Sequence, residues 1–236
     1  MKKNNYADTA EKLQVFFKQS GWFDVFKTFL LSEDFVKIIV QLSDNVDDGL
    51  RFTPTLKQVF NAFIKCKYDT LKVVIIGKYP YESIGIADGM AYSCSNTGKP
   101  VLVLRNILNA VSKTVYPKET RQKNPNPDLS RWAEQGVLLL NLSLTTGIDK
   151  RNNHEKIWQP FTAFVIDTLS KKNPDLVWIL LGNTCEIKDL ISGDDLTILS
   201  GNSLGTPMNF SNWDCHDIFN RANVQLLKIN KESIVW

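Results

Sequence analysis

The feature that most constrains this chain is a set of short, unbroken apolar runs, each closed by a small or polar residue. Lys72-Val73-Val74-Ile75-Ile76-Gly77 is the clearest. Val137–Leu140 ends at Asn141, Leu176–Leu181 ends at Gly182, and Leu196–Leu199 is a weaker fourth. A strand with one wet face alternates apolar and polar residues, so an unbroken run belongs to a strand covered on both faces. Helical patterns lie between the runs, at Val101–Val111, Phe161–Leu169 and Asp217–Leu227. Strands alternating with helices predict an α/β chain with a parallel sheet and crossover helices on its faces. Ligands of such sheets bind at the carboxyl ends of the strands, which brings the loops after Gly77, Asn141, Gly182 and Leu199 together.

Ahead of the first run the period is helical. From Thr9 to Leu31, Leu13, Phe16, Phe17, Trp22, Phe23, Phe26, Phe29 and Leu30 predict two amphipathic helices interrupted near Gly21. Pro54 opens a third helix, Thr55–Lys65, with Leu56, Val59, Phe60 and Phe63 on one face. The stretch Pro117–Asp128, rich in Pro, Asn and Lys, sits inside the alternating pattern and reads as a surface loop, not a boundary. The 236 residues are therefore expected to form one domain, 1–236, with 1–65 as a helical part packed on the same core.

Composition excludes several functions. Lys+Arg 28 against Asp+Glu 25 leaves +3, too little for a tail-driven nucleic-acid binder, so any such contact must come from a local patch. Cys66, Cys94, Cys185 and Cys215 show no CxxC spacing, and the only histidines are His154 and His216; no metal site and no cofactor are expected. The start MKKNNYADTAEKL lacks the apolar stretch of a signal peptide, and no run is long enough to span a bilayer. A soluble, intracellular monomer is expected, in a bacterial cytoplasm or, for a viral chain, in the nucleus or elsewhere in the host cell.

Three strand-end segments carry more. Gly77-Lys78-Tyr79-Pro80-Tyr81-Glu82, then Ala87-Asp88-Gly89-Met90-Ala91-Tyr92-Ser93, then Leu129-Ser130-Arg131-Trp132-Ala133-Glu134-Gln135-Gly136-Val137-Leu138-Leu139-Leu140-Asn141 resemble the family 1 uracil-DNA glycosylases. Val59–Phe63, Trp158–Thr162 and the terminal Ser233-Ile234-Val235-Trp236 add to the resemblance, which covers most of the chain in order. It implies a uracil-DNA glycosylase-like three-layer fold with a central parallel four-stranded sheet flanked by helices. It also implies a protein that flips a base out of DNA and reads its polar edge while stacking on its face. Asn141 would present its amide to the uracil O4/N3 edge. Tyr92, where the family has Phe, would stack on the base. Tyr81 would crowd the 5-position and exclude thymine, and Lys78 lies beside them in the first loop.

The pattern then departs from the family. The first family motif is GQDPYH, whose Asp stabilises the cationic sugar and the attacking water; here that place is Tyr79, and a phenol of pKa about 10 supplies no comparable charge at neutral pH. The His of the family's HPSPLS loop corresponds to Asn202 in Ser200–Pro207. Glu82 and Asp88 are the candidates for a displaced carboxylate. Positions where the family grips phosphate with serines read Val103, beside Arg105, then Asn183 and Leu204, and the intercalating Leu corresponds to Thr206 unless Leu204 takes that role.

With both catalytic positions replaced, the sequence predicts no catalytic residue in the family sense. The chain is expected to be a pseudo-glycosylase, not an enzyme, which binds DNA or a base, or a protein partner such as a DNA-mimicking inhibitor or a replication protein, in a virus or mobile element. The alternative is an active glycosylase of altered base specificity or with a displaced carboxylate.

Overall fold

The computed structural model describes residues 13, 15, 17–117, 125–148, 154–191, 197–201 and 217–236, with the side chains of 183, 185 and 186 excepted. The four apolar runs form β2 (Val73–Gly77), β3 (Val137–Asn141), β5 (Val177–Leu181) and β6 (Thr197–Gly201). They make one parallel sheet in the order β3-β2-β5-β6. Every residue of β2, β3 and β5 is buried, as unbroken apolar runs require. The chain passes from β2 to β3 on one side, then crosses to β5 and β6 on the other, so the connections leaving β2 and β5 diverge. That divergence marks the crevice at which such sheets take ligands. β2 and β3 stay in register through Gly77↔Asn141, and β5 and β6 through Leu181↔Gly201, whereas β2 and β5 end at Ile76↔Leu180.

Helices flank the sheet. They are α1 (Phe23–Leu30), α2 (Glu33–Asp47), α3 (Asn61–Lys65), α4 (Leu102–Thr114), α5 (Ser130–Ala133), α6 (Glu155–Lys172) and α7 (Ile218–Lys228). α3 and α5 pack on β3, α7 on β5 and β6, and α1 and α2 on α6. The N-terminal part shares the core: Phe17, Trp22 and Phe26 meet Phe60, Phe63 and Phe161 edge to face or stacked, and Trp22 donates from Nε1 to the Cys66 carbonyl at 2.7 Å.

Three elements differ from expectation. α2 has no counterpart in the sequence reading, although Ser32 caps it by accepting from Phe35 N and Glu33 and Asp34 open its first turn. Thr55–Lys65 is not one helix but a 3-10 turn, Leu56–Gln58, followed by α3. The break turns Val59 and Phe60 into the core and leaves Leu56 69% exposed. α6 begins ahead of the expected Phe161–Leu169 and runs through Pro160, with Trp158 on its N-terminal side buried against Phe60 and Phe161. Burying such side chains stabilises by about 2–3 kcal/mol each, comparable to the cost of a helical proline. A two-residue antiparallel ribbon, β1 (Phe52–Thr53) with β4 (Thr146–Gly147), ties the start of this region to the chain after β3. Among the described residues, no helix is long and apolar enough to cross a membrane.

Candidate active site

The carboxyl ends of β2 and β3 bring Gly77 and Asn141 side by side. A Cβ at Gly77 would overlap Asn141 Oδ1 and approach Ala91 Cβ to 2.9 Å, so glycine at this position is what admits the amide. Asn141 is 5% exposed, and its amide makes no hydrogen bond to any described residue. An amide offers one acceptor and one NH2 donor, which a ligand presenting one donor and one acceptor would complement. The ladder continues past the strand ends through Leu142 N to the Gly77 carbonyl (2.9 Å) and Ser143 N to the Lys78 carbonyl (3.0 Å), fixing the two loops relative to each other.

The segment 88–95 lies beside Gly77, with Ala91 approaching it. Its organiser is Asp88, 1% exposed, whose carboxylate accepts from Met90 N (3.1 Å), Ser93 Oγ (2.6 Å) and Ser95 N (2.8 Å). Asn61 Nδ2 donates to the Asp88 carbonyl at 2.6 Å, and Ala91 N donates to the Leu139 carbonyl at 2.9 Å. Gly89, at φ +90°, lies so close to the Gln58 carbonyl that no side chain fits. The structure therefore corrects one sequence reading: Asp88 faces into its own loop and holds it, with its oxygens taken by three donors, so it is not free to act on a sugar or water.

Tyr92 follows at φ 65°, a left-handed conformation rare outside glycine. Its hydroxyl donates to the Ile76 carbonyl at 3.0 Å. The Tyr81 hydroxyl donates to the Tyr92 carbonyl at 2.8 Å. Burial, with smaller contributions from Cys94, Tyr92 and Asp88, holds the Tyr81 phenol well above its usual pKa of 10.0, so it stays a donor at neutral pH. Lys78, Tyr79 and Glu82 are half-buried in the loop that leaves β2.

Of the remaining sequence candidates, Val103 is half-buried and Arg105 exposed at the start of α4, where Arg105 Nη2 donates to the Pro100 carbonyl at 3.3 Å. The backbone of Asn183 lies in the 3-10 helix Gly182–Leu190, but its side chain lies outside the described residues. Asn202, Leu204, Thr206 and His216 also lie outside them. Among the described residues, no cluster of three His, Cys, Asp or Glu could hold a metal.

Sequence reasoning missed a buried polar cluster in the chain that follows β3. His154, 2% exposed, meets Thr145 Oγ1 at 2.8 Å through Nδ1 and Asn45 Nδ2 at 3.2 Å through Nε2, and Trp158 Nε1 donates to the same Thr145 hydroxyl at 2.7 Å. Burial lowers the His154 pKa below 6.5, keeping the ring neutral. The only signal for this cluster was a histidine isolated in a chain with few of them. Asn61 was within a segment the resemblance picked out, yet nothing in its neighbours announces a bond to Asp88.

A model of the Uracil DNA glycosylase superfamily matches residues 64–205. The uracil-DNA glycosylase of Dichelobacter nodosus is 34% identical over 220 residues, covering 92% of this chain and 94% of that protein. That of Streptococcus thermophilus is 31% identical over 221 residues, covering 93% and 99%. The crystal structure of mimivirus uracil-DNA glycosylase superposes with a TM-score of 0.81 at 24% identity, over 91% of this chain and 85% of that one, which speaks for the fold.

These relatives overturn the expectation that the chain is not an enzyme. Proteins named uracil-DNA glycosylase align with 92–93% of it at 31–34% identity. The physical reason is one of scale. Losing one preorganised contact lowers a rate by about 10²–10³, catalytic groups are not additive, and enzymes accelerate by about 10⁶ or more. Replacing two catalytic groups would not by itself remove an activity of that size.

Proposed function

The chain belongs to the uracil-DNA glycosylase superfamily, and from that premise we propose that it is a working DNA glycosylase, hydrolysing the N-glycosidic bond of uracil or a closely related pyrimidine flipped out of DNA. The observation that carries this reading is Asn141, a buried amide seated on Gly77 with no partner among the described residues. Its carbonyl oxygen would accept from the pyrimidine N3–H and its NH2 would donate to O4, while Tyr92 stacks on the ring and Tyr81 limits the 5-position.

In the reaction the C1′–N1 bond breaks with its electron pair going to the base, leaving positive charge on the sugar. Water then adds to C1′, its released proton balances the departing base anion, and the products are an abasic sugar and free base. A carboxylate near C1′ lowers the barrier electrostatically, and Tyr79 carries none. Glu82, half-buried on the same loop, is the carboxylate we assign to this task, because Asp88 is committed to its own loop. Val103 offers no hydroxyl to phosphate, and Arg105 supplies only charge at the start of α4. Single-stranded DNA, which demands least unstacking, is therefore the favoured substrate.

The test is release of uracil from a single-stranded oligonucleotide by the parent and by Glu82→Gln. The variant is expected to lose about 10²–10³ in kcat with KM within a few-fold. Unchanged kcat would remove Glu82 from the mechanism, and a parent that releases no base from any pyrimidine would remove the glycosylase reading itself.

A further inference from the structure

We propose that Tyr92 is a positioning residue. Through the hydroxyl it gives to Ile76 and the carbonyl it offers Tyr81, it joins the two tyrosines into one brace hung from β2 that sets discrimination at the pyrimidine 5-position. The inference rests on the pyrimidine-pocket reading above.

The two hydrogen bonds run in series. Tyr92 donates to the Ile76 carbonyl at 3.0 Å, and Tyr81 donates to the Tyr92 carbonyl at 2.8 Å. Between them Tyr92 holds φ 65°, a conformation that persists in a non-glycine residue only where its surroundings over-determine it. The left-handed turn is what lets side chain and carbonyl of one residue serve both partners. A third tie, Ala91 N to the Leu139 carbonyl at 2.9 Å, fixes the residue just before it to β3.

The anchor point matters as much as the bonds. Ile76 precedes Gly77, against which the Asn141 amide packs. The stacking ring and the edge-reading amide are therefore referenced to two consecutive residues of one buried strand. Their separation is set by backbone and not by side-chain packing that could relax. Ile76 is also the last residue of β2 in register with β5, so the bond lies where the central seam of the sheet ends. A phenylalanine would keep the stacking surface and lose this reference.

The consequence is specificity. An apolar pocket that can yield discriminates a single methyl group by only about 10–200-fold. A Tyr81 ring tied through Tyr92 to β2 cannot back away from a 5-methyl group without breaking a part-buried hydrogen bond. Loss of the Tyr92 hydroxyl is expected to weaken uracil binding about five- to tenfold, seen in KM with kcat within about twofold, and to lower the preference for uracil over thymine about tenfold. Tyr81→Phe breaks the other link and should do the same. Because the links are in series, Tyr81→Phe/Tyr92→Phe should be no worse than either single change.

The experiment reads binding as well as turnover. Affinities of parent, Tyr92→Phe, Tyr81→Phe and the double variant are measured by fluorescence anisotropy for single-stranded oligonucleotides carrying 2′-fluoro-2′-deoxyuridine or its 5-methyl analogue, which resist hydrolysis. Melting temperatures are taken alongside. The brace predicts a loss of preference of about tenfold, shared by all three variants, with melting within a few degrees of the parent. An unchanged preference in Tyr92→Phe, or additive losses in the double variant, overturns the brace. A parent that does not distinguish the two probes overturns the pocket reading instead, a result visible before any variant is made.

Discussion

The chain after β2 divides into two stretches built on different terms. Residues 88–95 are held from within by Asp88, from the side by Asn61 and Gly89, and from below by the bond of Ala91 to β3. Residues 78–86 carry Tyr79 and Glu82, and their tip, Ser83 to Gly85, is exposed. The first stretch carries Tyr92, the proposed stacking ring, and the second carries Glu82, the proposed charge. On the proposed reading, base recognition would rest on bonds that the fold needs in any case, whereas the groups assigned to the sugar would sit where exchange costs the fold little. A chain can move its carboxylate from one position of the second stretch to another and keep the pocket.

Removing the organiser of the first stretch should break that contrast most severely. Asp88→Ala takes the acceptor from the N–H groups of Met90 and Ser95 and leaves the Ser93 hydroxyl only the Pro127 carbonyl at 3.4 Å, and a loss of about 2–3 kcal/mol is expected in urea unfolding. A cost under about 1 kcal/mol would mean that the stretch is not held as described. Next comes Gly77→Ala, whose methyl group displaces the Asn141 amide. Excision is expected to fall about 10²-fold in kcat/KM, with a smaller stability loss of about 1–2 kcal/mol seen in melting. Retained excision with lost stability would uncouple Asn141 from base reading.

The smallest effect concerns pH. His154 is buried neutral, with its folded pKa lowered by burial below the 6.5 of the unfolded chain. As pH falls the unfolded chain takes up the proton first. The stability that His154 contributes is therefore complete above about 6.5 and declines below it until the folded pKa is reached, at no more than about 1.4 kcal/mol per pH unit. His154→Gln should flatten melting temperature between pH 7 and 5 relative to the parent. Equal slopes in the two proteins would show that this ring is not held neutral by its burial.

Much of the scaffold was legible in the sequence because burial on both faces leaves a mark. Val73–Gly77, Val137–Asn141 and Val177–Leu181 are apolar runs that form strands nearly as written. The helix Glu33–Asp47 was not read, since its apolar residues Phe35, Ile38 and Leu42 are diluted by charge around a narrow buried face. The pair Gly77 and Asn141 followed from strand ends meeting in a parallel sheet. What composition and spacing could not give was the direction of side chains. Asp88 is a carboxylate in either role, and only its three donors show that it serves the loop. Tyr92 differs from phenylalanine by one oxygen, whose use depends on a left-handed turn that no local signal announces.

The measurement that bears most directly on the whole account is formation of abasic sites by the unmodified chain. Single-stranded oligonucleotides carrying one uracil, thymine, cytosine or 5-substituted uracil are incubated with the protein, and strand cleavage is scored after alkali. Cleavage is expected at uracil, less at 5-substituted uracils, and none at cytosine, whose N3 has no N–H to donate to the Asn141 carbonyl. Intact strands across the panel, with cleavage appearing only in Tyr79→Asp, would contradict it.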